Sequence, residues 1–106
     1  MADQSTDRMN PELKAKWLEA LRGGTYTQAR EKLRTDEGHC CLGVLCDVID
    51  PSKWGKALDW DGWDSRLPLE INRSAGIPCE IEALLIKMND EGSSFAEIAD
   101  YIETHL

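Results

Sequence analysis

Residues 81–106 read IEALLIKMNDEGSSFAEIADYIETHL. Ile81, Leu84, Leu85 and Met88 recur at the spacing of one face of an α-helix, and Asn89-Asp90-Glu91-Gly92 supplies a stop. Gly92 is placed to take the left-handed conformation that ends many helices. Ser94-Phe95-Ala96-Glu97 then has the form of a capping box. Phe95, Ile98, Ala99, Ile102 and Leu106 make the next apolar stripe. Two amphipathic helices joined by so short a turn predict a C-terminal helical hairpin. The rest of the chain must cover its apolar faces.

Upstream, Asn10-Pro11-Glu12 is an N-cap, a proline at the first helical position and an acid in the first turn. Leu13, Trp17 and Leu21 follow at intervals of four, and Gly23-Gly24 ends the helix. From Thr25 to Cys41 the pattern changes. A hairpin of residues 27–34 against 39–42, turning at Asp36-Glu37-Gly38, competes with a short helix over Gln28–Arg34; the turn signal favours the hairpin. Cys41, Leu45, Val48 and Ile49 sit at helical spacing, so a buried helix is expected over Leu42–Ile49 although Gly43 costs it about 1 kcal/mol. Asp50-Pro51 closes that helix. Residues 51–68 read as a loop with local order, and Pro68–Ser74 as one or two helical turns before Gly76. The expected fold is a small, mainly helical α+β domain over residues 10–106, preceded by a flexible tail over residues 1–9. Its core should hold Trp17, Leu21, Leu45, Leu84, Ile98 and Ile102.

A length of 106 residues is that of one domain, and 42% apolar with 30% charged residues is a globular composition. The formal charge of −8 disfavours a nucleic-acid binder, which needs cations to neutralise phosphates. The charge is uneven, because residues 79–106 hold seven acids against Lys87 alone. No apolar run is long enough to span a membrane. The polar opening MADQSTDRMN lacks the apolar stretch of a signal peptide. Four cysteines without secretory features read as reduced thiols in a cytosol.

Five groups of residues invite a chemical reading. His39, Cys40, Cys41, Cys46 and Cys79 have zinc-type donors but not paired Cys-x2–4-Cys spacing, so small apolar core residues are expected and no metal. Asp59-Trp60-Asp61-Gly62-Trp63-Asp64 alternates carboxylates as calcium loops do. With Gly62 as the loop glycine, however, Ala57 and Pro68 would fall at ligand positions. That loop, with Trp54, instead fits a recognition surface, since tryptophan is enriched among interface anchors. Gly92 to Ala99 has the outline of a helix-turn-helix opening, but Glu97, Asp100 and Glu103 on the helix that follows would repel DNA. The same three carboxylates suit a protein partner of opposite charge. Tyr26, Gln28 and Arg30, beside Lys32 and Arg34, offer an alternative ligand site for a phosphate-bearing molecule, although no Gly-rich phosphate loop accompanies them.

Trp17-x-x-Ala20-Leu21-Arg22, Gly24-x-Tyr26-x-Gln28, the block Cys40-Cys41-Leu42-Gly43-Val44-Leu45-Cys46-Asp47, and Met88-Asn89-Asp90-x-Gly92-x-Ser94-Phe95-x-x-Ile98-Ala99-Asp100 together resemble an uncharacterised family of small proteins encoded in phages and prophages. The resemblance covers residues 9–106 and implies a bacterial host cytosol during phage growth. With it, the leading expectation is a non-enzymatic accessory protein without a cofactor, which binds and inhibits a host protein of the anti-phage defence. Trp54, Asp59, Trp60, Asp61, Trp63, Asp64, Glu97, Asp100 and Glu103 would form the partner surface. The alternatives are a nucleotide-sequestering protein built on Tyr26, Gln28 and Arg30, and a thiol or metal protein built on the cysteines.

Overall fold

Helix α2 (Cys41–Ile49) is the axis of the computed structural model, which describes residues 9–106; every residue from Cys41 to Cys46 is buried. A helix apolar all round has to be wrapped on all sides. Helix α1 (Pro11–Arg22) covers one side, helix α4 (Cys79–Asp90) another, and helix α5 (Phe95–His105) packs chiefly on α1 and also on α4. A short helix α3 (Leu69–Ala75) precedes α4. The hairpin β1 (Arg34–Thr35) and β2 (Gly38–His39) lies against the start of α2. Among the described residues this makes five helices and one two-stranded antiparallel sheet, a small α+β fold.

Both ends of the chain's helical framework follow their local chemistry. The Asn10 side chain accepts from the amides of Glu12 and Leu13, with Pro11 as the first helical residue. Ser94 and Glu97 form the reciprocal capping box of α5. Gly92 turns the chain at φ +107°, and the Ser93 amide reaches back to the Met88 carbonyl. Trp17, Leu21, Leu45, Ile98 and Ile102 are buried as expected. The Trp17 indole donates to the Cys41 carbonyl at 2.9 Å, so α1 and α2 are tied by a hydrogen bond inside their apolar contact.

Several expectations need correction. The hairpin is much shorter than 27–34 against 39–42: Arg34 pairs with His39 and Thr35 with Gly38, around a turn at Asp36-Glu37. Residues 41 and 42 belong instead to α2, which starts one residue earlier than expected. Residues 27–29 run parallel to β2, with the His39 amide donating to the Thr27 carbonyl and the Ala29 amide to the His39 carbonyl. Met9, placed in the flexible tail, is 2% exposed and packs in the core; residues 1–8 of that tail lie outside the described residues.

Leu84, expected in the core, is 44% exposed. The inner face of α4 is carried by Glu82, Leu85 and Asn89, with Ile81 and Met88 only half-buried at its margins. Glu82 is buried because its carboxylate has donors waiting: the Leu67 amide at 2.7 Å, the Asn72 side chain at 3.2 Å and Arg66 at 3.5 Å. A buried carboxylate supplied with donors is tolerated where a bare one is not. These bonds hold the end of the 51–68 loop and α3 onto α4.

Candidate functional site

Asp47 lies on α2 at the margin of the core, and its two carboxylate oxygens collect side chains from opposite directions. Tyr26 donates its hydroxyl to Oδ2 at 2.5 Å, and Trp54 donates its indole N–H to Oδ1 at 3.0 Å. The His39 ring sits between the two, edge-on to Tyr26 with centroids 5.2 Å apart and to Trp54 at 5.5 Å. Arg34 lies over the Trp54 ring, its guanidinium carbon 5.3 Å from the centroid. Five side chains from separate segments thus meet where the hairpin touches α2. Burial and the neighbouring carboxylate push the Tyr26 phenol up to about 12, so it stays a donor. Sequence reasoning missed this cluster, since nothing local joins His39 or Arg34 to Asp47 and Trp54.

Two open grooves flank the hairpin. One of about 340 Å³ is lined by Tyr26, Arg34 and His39 together with Asp36 and Glu37. The other, about 720 Å³, is lined by Gln28, Arg30 and Glu31 on one side and Thr35, Asp36 and Glu37 on the other. The Glu31 amide donates to Asp90 at 2.8 Å, which brings the turn after α4 to the rim of this larger groove.

The residues expected at a ligand site do not come together as one. Tyr26 is committed to Asp47, and the Gln28 amide donates to Asn89 at 2.9 Å and to the Ser93 carbonyl at 2.8 Å. Only Arg30 of the three is exposed. Tyr26 and Gln28 are braces of the fold that also happen to line separate grooves.

The tryptophan loop divides into an inner and an outer part. Trp60, expected at the partner surface, is fully buried, with its indole donating to the Asp50 carbonyl at 2.9 Å and Lys53 over its ring. That takes it out of any docking face. Asp59 braces the turn through the Gly62 amide, and Trp54 belongs to the Asp47 cluster. Asp61 reaches Lys53 at 3.9 Å, Asp64 is exposed, and Trp63 remains 38% exposed. On α5, Glu97, Asp100 and Glu103 all face solvent. Asp100 and Glu103 share Arg22 of α1 at 2.8 and 2.7 Å, which offsets part of the negative face.

Cys40, Cys41 and Cys46 are buried and Cys79 is exposed. Among the described residues no three His, Cys, Asp or Glu side chains gather as metal ligands. Burial raises all three inner thiols, Cys40 to about 11 and Cys41 and Cys46 further. So buried, Cys40 stays a thiol at neutral pH and is a poor nucleophile. Titration with a thiol reagent at pH 8 should therefore label one cysteine promptly and the other three only on unfolding. Prompt labelling of two or more would contradict the packing around α2.

A family model described as a domain of unknown function (DUF8296) matches residues 9–80, from the segment ahead of α1 to the first turn of α4. No curated protein and no solved structure matches the chain. No helix among the described residues is long and apolar enough to cross a membrane.

Proposed function

We propose, for a chain that belongs to the DUF8296 family, that it is a small acidic accessory protein of the phage type, non-enzymatic, which binds and inhibits a protein of the host's anti-phage defence in the bacterial cytosol. The observation that carries the reading is the display of Trp63. Its amide and carbonyl are both bonded to Trp60, at 2.9 and 2.7 Å, and Trp60 is itself locked in the core. The exposed indole is thus offered from a braced turn, where docking would lose little conformational freedom. Exposed Asp61 and Asp64 flank it in sequence, giving an aromatic anchor with a polar rim. Burial of Cys40, Cys41 and Cys46 fits the non-enzymatic part of the reading, since a buried thiol is a poor nucleophile.

The test is quantitative capture from a bacterial host lysate, comparing the parent chain with two variants. Trp63→Ala should weaken the captured interaction about thirtyfold, the effect of losing roughly 2 kcal/mol at an interface anchor, while leaving the melting temperature nearly unchanged. Charge reversal at Glu97, Asp100 and Glu103 should weaken it further at low salt than at high salt. Equal capture by the parent and Trp63→Ala would remove the anchor, and unaltered binding by the triple reversal would remove α5 from the surface.

A further inference from the structure

We infer that His39 is a proton-operated catch, whose protonation parts Tyr26 and Trp54 from Asp47 and loosens the Trp54 end of the tryptophan loop. The catch does not depend on the binding role of Trp63. Its geometry is a neutral imidazole wedged between two rings whose polar ends both rest on one carboxylate. The His39 Nε2 is buried with no hydrogen-bond partner. The His39 backbone is held in place, its amide donating to the Thr27 carbonyl and its carbonyl accepting from the Ala29 amide.

The charged groups around the ring come from three elements. Asp47 faces it from α2, Arg34 from β1, and Asp36 and Glu37 from the hairpin turn share the groove that His39 lines; Tyr26 is the remaining titratable neighbour. Neutral, the ring asks nothing of them. A proton from solvent adds a charge and a second ring N–H beside the Arg34 cation. Asp47 is the carboxylate drawn toward it, yet both Asp47 oxygens already accept from Tyr26 and Trp54. No acceptor meets Nε2 in the closed arrangement, so the imidazolium either draws Asp47 off Tyr26 and Trp54 or leaves its Nε2–H unpaired. In either case the closed arrangement is disfavoured.

The sign follows from linkage. Burial, aided by Arg34 and against the pull of Asp47, holds His39 below its ordinary value of 6.5 in the closed state. The open state binds the proton more tightly, so closure is fully favoured above pH 6.5 and is lost as pH falls from there toward the depressed value. Within that window the open-to-closed ratio rises by at most about tenfold per pH unit, the limit for a step that takes up one proton.

The experiment follows the indole N–H resonances of the four tryptophans and the His39 ring by NMR between pH 7.5 and 5.0. The Trp54 indole should shift with the same midpoint as His39, below 6.5, while Trp17, bonded to the Cys41 carbonyl, stays in place. In His39→Gln, which takes up no proton, the Trp54 resonance should be flat. The proposal is overturned by a Trp54 signal that ignores the His39 titration, by Trp17 moving with it as in global unfolding, or by a transition that persists in His39→Gln. Should that variant not fold, the shared or unshared midpoint in the parent chain decides.

Discussion

Gly43→Ala should destabilise the protein by about 3 kcal/mol, although alanine is the better helix former by about 1 kcal/mol. Gly43 is the third residue of α2, and a Cβ there would overlap the Leu33 carbonyl oxygen and lie 2.7 Å from the Leu33 carbonyl carbon. Neither partner can give way easily. The Leu33 carbonyl accepts from the Cys40 amide at 3.1 Å, and the Leu33 amide donates to the Asp64 carbonyl at 2.6 Å. Leu33 itself is fully buried, and the His39 Cβ stands 3.3 Å from the same added atom. Making room means moving the chain ahead of β1 away from α2, which breaks hydrogen bonds on both sides of Leu33. Backbone overlap of this kind belongs at the top of the usual range of about 1–3 kcal/mol for overpacking. Denaturant titration should show a lower midpoint at unchanged slope. A stabilised variant would mean that α2 does not approach Leu33 as described.

Asn89→Ala should cost about 4 kcal/mol. The Asn89 side chain is 1% exposed and makes three hydrogen bonds inside the protein. Its Oδ1 accepts from Gln28 at 2.9 Å and from the Cys41 amide at 3.2 Å, and its Nδ2 donates to the Ala29 carbonyl at 2.7 Å. The Cys41 amide is one of the unpaired donors at the start of α2, where Cys40 caps weakly through its thiol on the Gly43 amide at 3.4 Å. Helix α4 thus caps α2 from 48 residues away in the chain. Truncation strands the Cys41 amide and the Ala29 carbonyl, each worth about 1–3 kcal/mol when buried unpaired, while the Gln28 amide keeps its bond to the Ser93 carbonyl. Asn89→Asp separates the roles. It retains the acceptor for Cys41 but sets a carboxylate against the Ala29 carbonyl, so the loss should be smaller in mild acid than at neutral pH. Equilibrium denaturation at pH 5 and pH 7 measures both variants. A cost below about 1 kcal/mol for Asn89→Ala would show that water replaces these bonds.

These bonds show what Tyr26 and Gln28, read in the sequence as an alternative ligand site, do in the fold. Tyr26 bonds to Asp47, Gln28 to Asn89, and the Glu31 amide to Asp90, so these polar groups join separate segments of the chain. Gly43 belongs with them, as the point where two backbones nearly touch. Polar residues in a motif invite a chemical reading, yet here they stitch an acidic chain together. The tryptophans show the same division. Trp60 and Trp63 are three residues apart in one loop, one closed into the core and one displayed, and their composition alone does not tell which is which.

Cap chemistry and local periodicity were enough to place α1 and α5, because Asn10-Pro11, Gly92 and the Ser94–Glu97 box act within one turn of the backbone they terminate. The same local reading found α2 from the helical spacing of Cys41, Leu45, Val48 and Ile49, one residue short at its start. What only the tertiary structure decided was the inside of α4, the length of the hairpin and the cluster around Asp47. Glu82 and Asn89 displaced Leu84 from the buried face because their partners, from Ala29 to Asn72, come from other segments. The hairpin shortened because α2 claimed Cys41 and Leu42 for its first turn, where burial outweighs strand pairing. A polar side chain is stable inside only where distant groups complete its hydrogen bonds, and spacing along the chain carries no record of that meeting.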